Sequence, residues 1–359
     1  MTIEEQYMYR CVQLAEAGVG HVAPNPVVGA VLVHGNRIIG EGWHRQYGMP
    51  HAEVNCIASV KKDDLHLIDK SVMYVSLEPC AHYGKTPPCA DLIVQHRIPR
   101  VVIGCRDPFR EVNGKGIEKL AAAGIAVTTG VLEKECRQLN KRFFTFHEQR
   151  TPYIILKWAQ SSDGAIAQAD GTAVQISNAY SSRLVHRWRS EEAAILVGTR
   201  TALLDDPALT VRLWQGRNPL RLVVDRGLKL PASLRLFDDS APTVVFNEIK
   251  GTLSSDGNNV FTGADNWFYR IKSDINVIDE LMSALFHLNI QSVLVEGGAR
   301  LLQSFVNESR WNEARIITNE TLRIPGGIKA PELARAQKVK EEHLFSDRIE
   351  HYTNPLLSV

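Results

Sequence analysis

Short apolar segments alternate with amphipathic stretches along most of the chain, and this alternation constrains the fold more than any other feature. Residues 72–77 and 101–105 have the length and composition of buried strands. Residues 4–17 and 116–123 place apolar side chains at helical spacing. Alternating strands and helices favour an α/β fold in which helices cover both faces of a sheet.

The chain has 359 residues, more than one hydrophobic core usually serves. A polar stretch that ends at Pro152 follows a predicted helix over 133–144. We therefore predict two domains, residues 1–148 and residues 149–359, and the second begins with a fresh series of strands. Those strands are predicted at 153–158, 194–197, 220–224, 243–246, 292–295 and 314–317, with a surface loop over 250–265.

Charge and cysteine content exclude several classes of protein. A formal net charge of +1 provides no basic surface for a long nucleic acid. Six cysteines in a chain of this length do not form a disulfide framework and favour a reducing compartment. The N-terminus lacks the pattern of a secretion signal, and no apolar run approaches the roughly 20 residues that cross a bilayer. We expect a cytoplasmic protein with neither a nucleic-acid nor a membrane partner.

The strongest chemical signal is a set of potential metal ligands, His51, Cys80 and Cys89. One imidazole and two thiolates suit zinc and leave its fourth position to water, as catalytic zinc requires. Zinc lowers the pKa of such a water to about 7. Glu53, two residues after His51, can then carry protons without binding the metal. This H-x-E and P-C pattern is typical of zinc-dependent nucleobase deaminases.

Three runs in the first half resemble those of a known family, namely residues 24–30, 48–53 and 81–88. They resemble the deaminase half of the bifunctional deaminase/reductases of riboflavin biosynthesis, a branch of the cytidine-deaminase-like zinc hydrolases. The resemblance implies a three-layer α/β domain with one Zn²⁺ per chain, acting on a diaminopyrimidinone that carries a ribose 5-phosphate. The implied site residues are Glu53 for catalysis, His82 and Lys85 near the phosphate, and Asn25 and His44 along the base and sugar.

The second half contains runs at 156–164, 205–207 and 295–298 that resemble the reductase half of the same family. The resemblance implies a dihydrofolate-reductase-like fold that uses NADPH, and a homodimer. The glycine pair after strand 292–295 would let a phosphate approach the backbone N–H groups of the next helix. The implied substrate residues are Lys157, Arg189, Leu209, Arg212 and Glu296. The implied cofactor residues are Ala159, Thr201, Asp205, Gly298, Ala299, Arg300, Leu301, Leu302, Gln303 and Ser304.

Three departures from the family pattern keep alternatives open. Phe109 stands where the family usually has Asn, Gln175 stands where it often has Trp, and residues 318–326 lack the usual C-terminal run. One alternative is a deaminase whose second half is a non-catalytic dimerisation module. Another is a deaminase of nucleic-acid bases, and a third is a structural zinc site with His82 as fourth ligand. The favoured hypothesis is deamination of the pyrimidine followed by reduction of the ribosyl chain to ribityl.

Overall fold

The computed structural model describes residues 1–83, 87–172, 174–253, 261 and 265–357. The chain divides into two compact units, Met1–Gln149 and a second unit that begins at Arg150. Each unit has its own β-sheet. Lys85 and most of the predicted 250–265 loop lie outside the described residues. Within the described ranges, no helix is long and apolar enough to cross a membrane.

The first unit is built on a sheet with the strand order β2-β1-β3-β4-β5. Strand β1 pairs antiparallel with β2 and β3, whereas β3, β4 and β5 are parallel. Parallel pairing brings the carboxyl ends of β3 and β4 to the same edge of the sheet. The strands are β1 (Gly29–His34), β2 (Arg37–Trp43), β3 (Val72–Leu77), β4 (Arg100–Cys105) and β5 (Ala126–Thr129).

Helices cover both faces of this sheet, so the unit has the expected three layers. Leu32, Val75 and Ile103 pack against α2, α3 and α4 on one face. Val31 and Val102 pack against α1, α5 and α6 on the other. The helices are α1 (Ile3–Glu16), α2 (Ala52–Ala58), α3 (Cys89–Gln95), α4 (Lys115–Ala122), α5 (Glu133–Leu139) and α6 (Lys141–Gln149), with a 3₁₀ segment at Lys62–Lys70.

The single helix predicted over 133–144 is wrong, because the structure has two helices that meet at Asn140. The buried Asn140 side chain accepts a hydrogen bond from Val27 N and donates one to Val27 O, each 2.9 Å long. An asparagine amide competes with the helical backbone for hydrogen bonds, and here the competing partner comes from a distant part of the chain.

The second unit contains, within its described residues, a nine-stranded sheet of order β11-β10-β9-β8-β12-β6-β13-β16-β15. The strands from β11 to β13 in that order are parallel, and β16 and β15 are antiparallel additions at one end. The short strands β7 and β14 form a separate pair. The strands are β6 (Tyr153–Ser161), β7 (Ala165–Ala167), β8 (Ala194–Gly198), β9 (Leu220–Val224), β10 (Thr243–Asn247), β11 (Asn266–Arg270), β12 (Ser292–Val295), β13 (Glu313–Asn319), β14 (Ile328–Lys329), β15 (Gln337–Leu344) and β16 (Asp347–Thr353).

Helices also flank both faces of this larger sheet. Helices α9 and α10 bury Leu285 and Phe305 in the main core. On the opposite face, α7 contributes Val185 and Trp188, and α8 contributes Ala202. This arrangement places the starts of α8 and α10 at the carboxyl edge of the parallel strands, where open α/β sheets bind ligands. The helices are α7 (Ala179–Glu191), α8 (Thr199–Asp205), α9 (Val277–His287) and α10 (Ala299–Asn307), with a 3₁₀ turn at Arg235–Phe237.

Candidate active sites

The fold of the first unit brings His51, Cys80 and Cys89 together. His51 immediately precedes α2, Cys80 follows the end of β3, and Cys89 is the first residue of α3. His51 Nδ1 lies 3.6 Å from Cys80 Sγ and 3.4 Å from Cys89 Sγ. Cys89 N donates to Cys80 Sγ at 3.3 Å, which links the two cysteines directly.

This donor set fits zinc. The three ligand atoms all lie within 4.8 Å of one another. Zinc–sulfur and zinc–nitrogen bonds of about 2.3 and 2.0 Å place tetrahedral donors roughly 3.5 Å apart, in agreement with the distances from His51. Within the part of the chain that the structure describes, His82 does not belong to this group. Three protein ligands match a catalytic site, so the structural-zinc alternative has no support here.

Burial and mutual contacts shift the pKa values of the two thiols and of Glu53. The hydrogen bond from Cys89 and the contact with His51 lower the pKa of Cys80 to about 4. Donating that hydrogen bond to a thiolate raises the pKa of Cys89 well above its usual value. Glu53 is 3% exposed in the first turn of α2. Burial raises the pKa of Glu53, and the neighbouring Cys80 raises it further. A buried carboxyl group of this kind is suited to proton transfer.

Asn25 and His44 form a second polar element beside the ligand group. The rings of His44 and His51 lie edge to face, with centroids 5.2 Å apart. His44 Nδ1 lies 3.1 Å from Pro50 O, so this nitrogen carries the proton and donates. His44 Nε2 is then an acceptor for Asn25 Nδ2 at 3.3 Å. Burial lowers the pKa of His44, which keeps the ring neutral and the Asn25 amide orientation defined.

His82 occupies an aromatic environment that its sequence position does not reveal. Its Nδ1 is shielded from solvent and has no hydrogen-bond partner among the described residues. Its ring faces Phe109, with centroids 6.1 Å apart, and Phe109 in turn contacts His147 at 5.1 Å. Asp107, two residues before Phe109, is buried, and burial raises its pKa to about 7.

Glu78 is a buried carboxylate that sequence reasoning missed. Its position directly before Pro79 and Cys80 was the one clue in the sequence that it lies near the metal-ligand group. It is 3% exposed, and its oxygens accept four backbone N–H groups from the segment 107–117. The segment that follows β3 therefore carries the candidate zinc ligand Cys80 and, two residues earlier, a carboxylate that anchors a second loop.

The predicted substrate residues Lys157, Arg189 and Glu296 meet in the second unit. Arg189 Nε lies 2.7 Å from Glu296 Oε1, and Arg189 Nη2 lies 2.8 Å from Glu296 Oε2. Lys157 Nζ lies 3.6 Å from Glu296 Oε2. Burial alone would raise the pKa of Glu296, but Arg189 and Lys157 hold it at about 2. The cluster is a carboxylate clamped between two cations at the carboxyl edge of the sheet.

Arg212 and Leu209 lie on the loop next to this cluster. Arg189 Nη1 donates to Thr210 O at 3.2 Å, and Arg212 Nη1 donates to Thr210 Oγ1 at 2.9 Å. Arg212 is exposed, whereas the Leu209 side chain is 2% exposed and packs in the core. His186, which sequence reasoning missed, accepts from Arg212 N through Nδ1 at 3.0 Å. The sequence did offer a clue to His186: it lies three residues before Arg189, so the two side chains share one face of the helix.

The predicted cofactor residues surround the glycines at the start of α10. A Cβ on Gly297 would lie 2.8 Å from Val197 Cα, and a Cβ on Gly298 would lie 3.0 Å from Thr201 Oγ1. Gly298 has a φ of +59°, so glycine is favoured there. The first N–H groups of α10 have no side-chain cap, and uncapped N–H groups of this kind attract phosphate.

Other predicted cofactor residues lie further from that helix start. Leu302 is buried in the core, and Gln303 Oε1 accepts from Glu332 N at 2.9 Å. Ser304 Oγ donates to Arg300 O, one turn back on α10. Ala159 lies on β6 and Asp205 ends α8. Burial raises the pKa of Asp205.

The unusual C-terminal run forms an ordered turn. Asn319 Nδ2 donates to Ile176 O at 2.7 Å, and Asn319 Oδ1 accepts from Leu322 N at 3.0 Å. Ile324 N donates to Asp163 Oδ1 at 3.0 Å. Gln175 is exposed and donates to Ser177 O at 2.7 Å. These departures are accommodated by local hydrogen bonds.

Comparisons with known proteins agree with both halves of the chain. Residues 1–105 match the cytidine and deoxycytidylate deaminase zinc-binding region, and residues 152–354 match the RibD C-terminal domain. Riboflavin biosynthesis protein RibD from Aquifex aeolicus is 38% identical over 360 residues, which cover 97% of each chain. The protein of the same name from Bacillus amyloliquefaciens is 39% identical over 339 residues, or 92% of this chain and 88% of that protein.

Solved structures show the same relationship over the whole length. A diaminohydroxyphosphoribosylaminopyrimidine deaminase/5-amino-6-(5-phosphoribosylamino)uracil reductase from Thermotoga maritima has a TM-score of 0.86 at 34% identity, covering 98% of this chain and 99% of that one. RibD from Acinetobacter baumannii has a TM-score of 0.86 at 28% identity, covering 98% of both chains. The expected folds, the zinc and NADPH cofactors and the two activities are thereby confirmed. The chain belongs to the RibD family of bifunctional riboflavin-biosynthesis enzymes, in which a zinc-dependent deaminase domain precedes an NADPH-dependent reductase domain.

Proposed function

We propose that the first unit hydrolyses the 2-amino group of 2,5-diamino-6-ribosylamino-4(3H)-pyrimidinone 5′-phosphate and releases ammonia. We propose that the second unit then reduces the ribosyl chain of that product to ribityl. The observation that carries the proposal is the convergence of His51, Cys80 and Cys89 beside the buried Glu53. The small pyrimidine partner is favoured over a nucleic acid because the chain has almost no net charge.

Glu53 is assigned the proton transfers of the deamination. When zinc is bound, it lowers the pKa of water and so supplies a nucleophile at neutral pH. Glu53 takes one proton from the attacking water and delivers it to the departing amine, which leaves as ammonia. The second water proton passes to the adjacent ring nitrogen as the ring carbon gains a carbonyl oxygen. The burial of Glu53 excludes competing solvent protons and favours the protonated form that the transfer to the amine requires.

Asn25, His44 and His82 are assigned to binding the substrate. The Asn25 amide, held by His44, offers a donor and an acceptor to the edge of a pyrimidine. His82 has a buried nitrogen without a partner among the described residues, which a phosphate oxygen would satisfy. Lys85, three residues further along, is assigned to the same phosphate because a lysine ammonium is a compact positive charge.

The second unit is assigned to the reduction. NADPH supplies the hydride when bound, so the protein must chiefly hold the two reactants in position. Glu296 neutralises much of the charge on Arg189 and Lys157. The exposed Arg212 is therefore the guanidinium best placed to bind the sugar phosphate. The start of α10, with Gly297 and Gly298, is assigned to the phosphates of the cofactor.

We also propose a cytoplasmic homodimer. The six cysteines are free thiols, and a zinc site with two thiolates is best preserved in a reducing compartment. The dimer rests on the resemblance of the second half to reductases that pair with themselves. Sedimentation equilibrium at several protein concentrations tests it, and a single species of monomer mass would contradict it.

One incubation tests both activities. The zinc-loaded chain is mixed with the diaminopyrimidinone phosphate, with and without NADPH, and the products are analysed by mass spectrometry. Without NADPH we expect ammonia and a product in which one NH group has been replaced by oxygen. With NADPH the product should gain two further hydrogens. Unchanged substrate in both mixtures would contradict the proposed function.

A further inference from the structure

The carboxylate of Glu78 binds both ends of one loop. Its Oε2 accepts from Asp107 N at 3.3 Å and from Gly114 N at 2.9 Å. Its Oε1 accepts from Gly116 N at 2.9 Å and from Ile117 N at 3.3 Å. The last two donors belong to the first turn of α4. A buried carboxylate is stable only when its oxygens are satisfied in this way.

The loop also approaches the end of β3 very closely. A Cβ on Gly116 would collide with Pro79 O, and Gly114 has a φ of +93°. The close contact therefore requires glycine at position 116, and the backbone conformation strongly favours glycine at position 114. These two glycines and the carboxylate together hold the loop over 107–116 against the residues that precede Cys80.

Phe109 is the residue that this loop presents to the deaminase site. Its ring lies between His82 and His147, with centroid distances of 6.1 Å and 5.1 Å. His147 is itself held by Phe143 at 4.4 Å. Edge-to-face contacts of this kind restrict ring orientation. Phe109 thus braces the ring whose buried Nδ1 has no partner among the described residues.

The zinc ligands have anchors of their own. Ala90 N donates to Cys80 O at 3.1 Å, and Cys89 N donates to Cys80 Sγ. Glu78 N donates to Cys105 O at 3.0 Å, which continues the pairing of β3 with β4. The backbone that carries Cys80 is therefore held without the Glu78 carboxylate, whereas the loop that carries Phe109 depends on it.

We propose that Glu78 is a positioning residue for substrate binding, which holds the 107–116 loop so that Phe109 orients His82 towards the substrate phosphate. This inference rests on the proposed function, because it requires a phosphorylated pyrimidine at the zinc site. It predicts that loss of the carboxylate weakens substrate binding and leaves zinc in place.

The test compares Glu78→Gln, Phe109→Ala and the double variant in steady-state deamination. We expect each single variant to raise KM by about tenfold, as loss of one charge-assisted hydrogen bond implies, with little change in kcat. The double variant should match the more severe single variant, because both changes act through the same contact. Zinc content should stay at the wild-type value, and the dephosphorylated substrate should show no difference between variants and wild type.

Several results would overturn the inference. These are loss of zinc from Glu78→Gln, a fall in kcat at unchanged KM, and a double variant whose KM effect is the product of the single effects. Gly116→Ala is a second variant that displaces the loop without changing charge, and it should show the same rise in KM. If Glu78→Gln does not fold, Gly116→Ala and Phe109→Ala decide the matter. Inactivity of the wild-type chain would contradict the proposed function itself, so the two failures are distinguishable.

Discussion

Arg189 donates hydrogen bonds to both carboxylate oxygens of Glu296, at 2.7 Å and 2.8 Å, although the two residues are 107 positions apart in the chain. Their side chains are 13% and 7% exposed. The pair joins α7 to the end of β12 and places an anion next to Lys157 at neutral pH. A bidentate contact with so little exposure defines both the geometry and the charge of the proposed reductase substrate site.

Replacing Glu296 with Gln should destabilise the chain by about 3–5 kcal/mol at neutral pH, because two buried cations lose their counter-charge. The pKa of Glu296 falls from 4.5 to about 2 on folding, so its contribution is present above 4.5 and is lost as the pH falls towards 2. The difference in unfolding free energy between wild type and variant should therefore shrink over that range. Urea unfolding at several pH values measures it.

The control for that experiment is Glu248→Gln, which breaks an exposed ion pair with Arg226. Exposed pairs contribute about 0–1 kcal/mol, so this variant should resemble wild type at every pH. Equal destabilisation by the two substitutions would contradict the role assigned to Glu296.

His186→Leu should raise the reductase KM for substrate by about tenfold, because the loop that carries Arg212 loses the acceptor for its backbone N–H. His186→Asn should stay near wild type, since its amide oxygen can take the place of Nδ1. Burial, with help from Arg189 and Arg212, lowers the pKa of His186 to about 4, so the ring is neutral and accepts at neutral pH. As the pH falls towards 4 the wild-type KM should rise, while that of His186→Asn stays flat.

Glu53→Gln should abolish ammonia release, with a loss of about 10²–10⁴-fold, because the proton carrier is removed while the zinc ligands remain. Zinc content by atomic absorption should be unchanged. Reduction of the separately supplied deaminated substrate should also be unchanged, since it uses the other unit. Ammonia release near the wild-type rate would show that another group transfers the protons.

Gly297→Ala should weaken NADPH binding by at least about tenfold, because the new Cβ would press on Val197 and displace the start of α10. Titration of NADPH fluorescence measures the change. Gly251→Ala is a matched control, since its Cβ would make only an ordinary contact of 3.5 Å with Arg270 Cβ. Deamination should be unaffected in both variants, and wild-type NADPH affinity in Gly297→Ala would contradict the assignment.

Sequence patterns predicted the strands most reliably where burial is complete. The predicted bounds 72–77, 220–224 and 292–295 coincide with β3, β9 and β12. The β15–β16 hairpin was not predicted, because β15 is rich in lysine and glutamate and is mostly exposed at the edge of the sheet. A charged edge strand lacks the alternating apolar residues by which strands are predicted. It forms because the neighbouring strand offers backbone hydrogen-bond partners.

The site residues also differ in whether the sequence alone could identify them. The candidate metal ligands could be found from the sequence because zinc accepts few residue types, and because His51 and Cys89 each lie at the start of a helix, His51 directly before α2 and Cys89 as the first residue of α3. The roles of Glu78 and His186 could not be derived from the sequence, because each accepts hydrogen bonds from backbone N–H groups whose positions only the folded chain defines. The same reason explains the helix break at Asn140, whose partner Val27 lies 113 positions away.

The chemistry available to this protein can be recognised without a structure: a zinc donor set with an adjacent carboxylate, a glycine pair at a helix start, and two series of strands and helices. Those features depend on residue type and short-range spacing, which a linear pattern records. Only the folded chain shows which charges are paired, which loops are held, and which histidine nitrogens donate or accept. These depend on burial and on contacts between residues far apart in the chain, and such contacts form only when the sheets assemble.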